Sequence, residues 1–180
     1  MNCWKTINLF KDYGLPRISI LSIFVTLGSF VGIYLPLSLI YSSVKLQDNY
    51  AIVFLIGLML IPMLHQVLHL LPAWLTLKKA TMKLKYKFGM PFFVIRFHDS
   101  MSKTLILICL GMPLVVMTAL FMIGSHLLPQ YIHYFSMMSA LNIGLSVTDL
   151  IYMLLILKAP KRCYIENFNG GYDILINRYN

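Results

Sequence analysis

Four long apolar runs dominate this chain and restrict what it can fold into. They cover residues 18–41, 51–71, 104–128 and 133–157. A helix of about 20 apolar residues crosses the roughly 30 Å hydrocarbon layer of a bilayer, and each run is long enough. Because 59% of the residues are hydrophobic and only 12% are charged, a soluble globular domain is a poor explanation. We predict an all-α integral membrane protein with four transmembrane helices, forming a single membrane domain over residues 1–180.

The basic residues indicate how such a protein is oriented. Fourteen of the fifteen Lys and Arg residues lie before the first run, in the segment 72–103 or in the tail 158–180, and the loop 42–50 contains only Lys45. Cytoplasmic loops carry the excess of Lys and Arg, so we expect a multi-pass protein of the plasma membrane with both termini cytoplasmic. The charge of +9 is distributed among loops, which indicates lipid rather than nucleic acid as the partner.

The segment between the second and third runs has the pattern of a β-hairpin. Residues 83–88 alternate between lysine and apolar side chains, Gly89-Met90-Pro91 interrupts the pattern, and residues 92–97 have high strand propensity. We expect this hairpin at the cytoplasmic interface. It is either a basic flap without a partner or an edge strand that pairs with a membrane-proximal peptide or membrane protein. In the second case the contacting residues would be Lys83, Lys85, Lys87, Phe92 and Phe93.

Two histidines interrupt the second apolar run at metal-ligand spacing. His65 and His69 are four residues apart, so on a helix both rings lie on one face. In the related pattern His-Glu-x-x-His, two histidines bind zinc and the glutamate is the general base. Gln66 occupies the position of that glutamate. The ligand pair is therefore present, and the base is missing.

A polar face in the fourth run provides a third candidate ligand. Asn142, Ser146 and Asp149 are spaced by four and then three residues, and Asp149 is the only acidic residue in any of the four runs. Counted along the helices, Asp149 and the histidines reach a similar depth in the membrane. They could form a three-ligand zinc site, supported by Asn142 and Ser146. The alternative is a hydrogen-bonded His–Asp network that only stabilises helix packing.

The chain resembles the putative zincin peptidase family of small bacterial membrane proteins and is more distantly similar to the site-2 class of intramembrane zinc proteases. The resemblance covers nearly the whole chain. It is carried by the His-x-x-x-His helix, the basic segment 83–97, the stretch from Ser102 to Pro113, and the stretch from Asn142 to Asp149 followed by Lys158-Ala159-Pro160-Lys161. The resemblance implies zinc as the cofactor, with His65, His69 and Asp149 as its ligands.

Gln66 is the departure from this family pattern. Peptide hydrolysis needs a residue that takes a proton from the attacking water and gives it to the leaving amine, and a carboxamide cannot do so. We therefore predict a zincin-like, peptidase-derived metalloprotein that is degenerate or weakly active. The substitution is either natural or introduced, because glutamine is nearly isosteric with glutamate. The alternative function is a non-enzymatic membrane accessory or interaction protein whose His–Asp network is structural.

Overall fold

The computed structural model describes residues 2–78, 80–87, 90–97, 99–161, 163–168 and 171–176, and within these ranges the chain is mostly helical. The helices are α1 (Leu9–Asp12), α2 (Leu15–Ile40), α3 (Ala51–Leu75), α4 (Lys103–Leu127), α5 (Ile132–Leu145) and α6 (Val147–Leu157). The strands are β1 (Asn2–Ile7), β2 (Ala80–Lys87), β3 (Met90–Phe97), β4 (Met101–Ser102), β5 (Cys163–Phe168) and β6 (Gly171–Ile176). Gly89, in the expected hairpin turn, lies outside the described residues.

Among the residues that the structure describes, three helices are long and apolar enough to cross a membrane, namely α2, α3 and α4. Each begins within three residues of a predicted run, and α3 extends four residues beyond the predicted end at position 71. A fourth span results if residues 129–145 and α6 are counted as one broken helix. Of the four predicted membrane helices, three are therefore confirmed at the level of length and composition, and the fourth depends on counting the bent pair as one span.

The prediction of one continuous helix over residues 133–157 is wrong. Residue Ser146 separates α5 from α6, and the two segments are bent by 43°. The Ser146 hydroxyl donates a hydrogen bond to the Asn142 carbonyl at 2.8 Å, and the Ser146 backbone N–H donates to the same oxygen at 3.0 Å. Serine bonds of this kind bend helices, and Gly144 just before the break has low helix propensity. Asn142 and Asp149 therefore lie on two helices instead of one face.

The all-α prediction also missed a four-stranded antiparallel sheet in the order β1-β6-β5-β4. Ile165 of β5 pairs with Ile174 of β6, and both side chains are buried. At Gly171 an added Cβ would overlap the Ile7 carbonyl oxygen of β1, so only glycine allows this approach. β5 and β6 are adjacent in the sequence, whereas β1 and β4 join them through long-range pairing, which the helix-dominated hydropathy pattern does not indicate.

A separate two-stranded sheet pairs β2 with β3 in antiparallel fashion, and its backbone register aligns Lys85 with Phe92 and Leu84 with Phe93. The two strands overlap the predicted segments 83–88 and 92–97, but β2 begins earlier, at Ala80, and β3 includes Met90 and Pro91, which the sequence pattern assigned to the break. The position of this sheet at a membrane surface stays a prediction.

The chain divides into two compact units. One consists of Met1–Leu15, Gln66–Met112 and Thr148–Asn180, and the other of Pro16–His65 and Pro113–Val147. The first contains the four-stranded sheet and an edge-on contact between the rings of Tyr152 and Tyr172, with centroids 4.9 Å apart. In the second, the rings of Phe54 and Tyr134 are stacked with centroids 4.5 Å apart. The expectation of one membrane domain stays a prediction.

Candidate metal centre

Helix α3 carries both candidate histidine ligands one turn apart. His65 and His69 are 2% and 4% exposed, although imidazole rings are polar at both nitrogens. A buried polar ring is unfavourable unless hydrogen bonds or a metal satisfy its nitrogen atoms. The contacts of each ring therefore decide what it can bind.

The His69 ring is oriented by a backbone carbonyl of α4. Its Nδ1 atom lies 2.7 Å from the Cys109 carbonyl oxygen. Because a carbonyl only accepts hydrogen bonds, Nδ1 must carry the hydrogen, and the ring lone pair of a neutral His69 is on Nε2. That Nε2 atom lies 3.3 Å from Oδ2 of Asp149 on α6. The metal-binding nitrogen of His69 thus faces the carboxylate.

The His65 ring is oriented by the side-chain amide of Asn142. The amide nitrogen of Asn142 donates to the Pro113 carbonyl at 3.2 Å and lies 3.1 Å from the Thr118 hydroxyl. Its oxygen must then face His65, where Oδ1 and Nδ1 are 2.9 Å apart. Since this oxygen only accepts, Nδ1 of His65 donates, and the lone pair of a neutral ring is again on Nε2.

One ligand atom each from His65, His69 and Asp149 lies within 4.8 Å of the other two, so these residues could hold a metal ion. A neutral His69 would place its lone pair against the Asp149 carboxylate, and a proton or a cation between them removes this repulsion. The distance between Nε2 of His69 and Oδ2 of Asp149 is 3.3 Å. Two ligand atoms of a tetrahedral zinc ion, each bonded at about 2.0 Å, lie about 3.3 Å apart. Two imidazoles and a carboxylate are also a common zinc donor set. The residues fit the metal.

The other predicted site residues have different surroundings. Asn142 is fully buried and contacts His65, as a supporting residue should, whereas Ser146 bonds to the Asn142 backbone at the helix break. Gln66 follows His65 on α3 and is partly buried. The side chains expected to contact a peptide lie outside the described part of the structure: Lys83, Lys85, Lys87, Phe92 and Phe93.

Several groups near the centre are not evident from the sequence pattern. The acceptors of His69 and Asn142 are the backbone carbonyls of Cys109 and Pro113, and any residue type has a carbonyl. Tyr172 of β6 is also close enough to Asp149 for the carboxylate to affect the ionisation of the Tyr172 phenol. Burial, and then the negative charge of Asp149, raise the pKa of Tyr172, so its phenol stays protonated. Of these groups, only Pro113 could have been found from the sequence, because a proline inside an apolar run removes a backbone hydrogen bond of the helix.

Comparison with known families gives one match. A family model described as "Putative zincin peptidase" matches residues 58–164, which is more than half of the 180-residue chain. The matched range includes all three candidate ligands and Asn142. Neither a curated protein nor a solved structure matches the chain.

Proposed function

Because this chain belongs to the putative zincin peptidase family, we propose that it is a membrane metalloprotein that binds zinc through His65, His69 and Asp149 and has little or no peptidase activity. The observation that carries this proposal is the grouping of three ligand atoms within 4.8 Å. The hydrogen bonds at Nδ1 of both rings support it, because they direct each Nε2 lone pair to metal binding.

The chemistry of the site follows from the side chains around it. Zinc in a site of this kind supplies Lewis acidity, which polarises a carbonyl oxygen. The Asp149 carboxylate balances positive charge, and buried surroundings strengthen that interaction. Gln66 can donate a hydrogen bond to a peptide carbonyl or accept one from water, but its amide cannot take up a proton at neutral pH. Peptide binding is therefore retained, while hydrolysis lacks its base.

The proposed ligand is an extended segment of a membrane-proximal peptide or membrane protein. A strand edge binds such a segment through backbone hydrogen bonds, and the β2–β3 sheet presents two eight-residue strands. We place this sheet at the cytoplasmic surface of the plasma membrane, with both termini on that side, on the basis of the charge distribution.

The second candidate is a non-enzymatic accessory protein whose His–Asp network is structural. It is favoured by the direct 3.3 Å contact between His69 and Asp149, which an imidazolium–carboxylate pair would satisfy without a metal. A buried pair of this kind can stabilise the packing of α3 against α6 when its remaining hydrogen bonds are made.

Metal analysis separates the two candidates. The protein should be purified in detergent with a tag that lacks histidine, equilibrated with zinc, desalted and analysed by mass spectrometry for metals. We expect stoichiometric zinc in the wild type and its loss in His65→Ala and Asp149→Ala. His126→Ala is the matched control, because His126 bonds to the Tyr41 hydroxyl at 2.7 Å and is not one of the three grouped residues. A folded wild-type protein without zinc would favour the accessory function.

A further inference from the structure

Pro113 interrupts the hydrogen bonding of α4 at a defined carbonyl. In an unbroken helix, the N–H of residue 113 would donate to the carbonyl of residue 109. Proline has no N–H, and its ring displaces that carbonyl from the helix axis. Helix α4 nonetheless continues through Pro113, which is fully buried. The Cys109 carbonyl therefore lacks its usual helix donor and accepts from Nδ1 of His69 at 2.7 Å instead.

The same proline also acts on the other histidine through its own carbonyl. The Pro113 oxygen accepts a hydrogen bond from Nδ2 of Asn142 at 3.2 Å. This contact distinguishes the two ends of the amide, because only the nitrogen end can donate. The oxygen end consequently faces Nδ1 of His65 at 2.9 Å.

We propose that Pro113 is a positioning residue for both histidines. Because Pro113 has no N–H, the Cys109 carbonyl accepts a hydrogen bond from His69 instead. The Pro113 carbonyl orients the side-chain amide of Asn142 so that its oxygen faces His65. Both rings then carry a hydrogen on Nδ1, so Nε2 is the nitrogen through which either ring would bind a metal. The consequence for zinc affinity rests on the proposed function, whereas the position of the two hydrogens does not require a metal.

The test is nitrogen NMR of ¹⁵N-histidine-labelled, metal-free full-length protein in lipid nanodiscs, which reports which ring nitrogen carries the hydrogen. We expect Nδ1–H for both His65 and His69 in the wild type. Pro113→Ala restores a backbone donor to the Cys109 carbonyl, so we expect His69 to lose its preference for Nδ1–H. Zinc affinity, measured separately by titration, should fall by about 10- to 100-fold, as is typical when such supporting contacts are lost.

Three further variants isolate the cause. Pro36→Ala is the matched control, because Pro36 also lies inside a helix, α2, and we expect it to leave both rings unchanged. Lactic acid in place of Pro113 forms a backbone ester without an N–H and without the ring, so it should keep Nδ1–H on His69. If Pro113→Ala does not fold, the ester variant tests the role of the missing N–H at His69, and Asn142→Leu tests the role of the amide at His65. Asn142→Leu should alter His65 and leave His69 unchanged.

The outcomes separate this inference from the proposed function. Wild-type tautomers and wild-type zinc affinity in folded Pro113→Ala would overturn the positioning role, and loss of Nδ1–H on His69 in the ester variant would overturn the role of the missing N–H. If the wild type binds no zinc but Pro113→Ala shifts the hydrogen on His69, the proposed function fails and the positioning role stands.

Discussion

At His65 and His69 the location of one hydrogen atom decides whether the ring can bind a metal through Nε2. Neutral imidazole has one protonated and one unprotonated nitrogen, and the nearby acceptors select Nδ1 for the hydrogen in both rings. In the proposed function, Gln66 has the size of the glutamate in the pattern His-Glu-x-x-His but lacks its basicity. The proposed function therefore assigns metal binding and catalysis to separate residues of the same helical turn.

Gln66→Glu should restore peptide cleavage. A carboxylate at this position can take up and return the proton, and general acid–base catalysis contributes typically about 10²- to 10⁴-fold in rate. The measurement is immunoblotting of epitope-tagged single-span membrane proteins co-expressed with the variant. The double variant Gln66→Glu/His65→Ala is the control and should show no cleavage. Zinc-loaded Gln66→Glu without cleavage of any tested protein would contradict this prediction.

Gly144→Ala should destabilise the packing of α5 against α2. An added Cβ would overlap Oγ1 of Thr26 and approach the Ser22 carbonyl within 3.1 Å, and overpacking of this kind costs about 1–3 kcal/mol. Thermal unfolding in detergent, followed by circular dichroism, should show a lower midpoint. The control is Gly28→Ala, where the added Cβ meets no described heavy atom within 4 Å. Equal midpoints for the two variants would contradict the expected overlap.

Among the secondary-structure elements, α6 has a carbonyl at its C-terminal end that accepts a hydrogen bond from a side chain distant in the sequence. The last carbonyls of a helix lack intrahelical donors. Nζ of Lys103, at the start of α4, donates to the carbonyls of Leu157 and Ala159 at 3.0 and 2.6 Å. One of these hydrogen bonds satisfies the last carbonyl of α6, and the other satisfies a carbonyl in the segment that leads to β5.

Lys103→Met should loosen the last turn of α6, because hydrogen bonds from a charged donor are worth about 1.5–3 kcal/mol and part of this exposed contact is screened by solvent. Hydrogen–deuterium exchange of residues 154–159 should become faster. Lys158→Met is the matched control, since Lys158 is exposed beside the same carbonyls. Equal exchange in the two variants would show that the Lys103 contacts do not stabilise the helix end.

At the scale of the whole molecule, the proposed orientation depends on charge. One basic residue, Lys45, lies in the loop 42–50, whereas fourteen lie in the terminal segments and residues 72–103. Single cysteines at exposed positions 45 and 158, in a chain with Cys3, Cys109 and Cys163 changed to alanine, test this orientation. A membrane-impermeant maleimide should label Lys45→Cys in intact cells and Lys158→Cys only after permeabilisation. The reverse pattern would invert the proposed topology.

Features that depend on local composition could be predicted from the order of the residues alone. The apolar runs predicted α2, α3 and α4 to within a few residues, because hydropathy is a property of each segment alone. The spacing of His65 and His69 followed from helix periodicity, and counting residues along the helices was sufficient to group Asp149 with them.

Features that depend on which distant groups come into contact could be assigned only from the three-dimensional structure. The pairing of β1 with β6, the pairing of β4 with β5 and the contacts of Lys103 all involve partners that are distant in the sequence. The same is true of the backbone carbonyl that selects the protonated nitrogen of His69. Hydrogen bonds are short-ranged and directional, so they can be assigned only when the approach of distant segments is known.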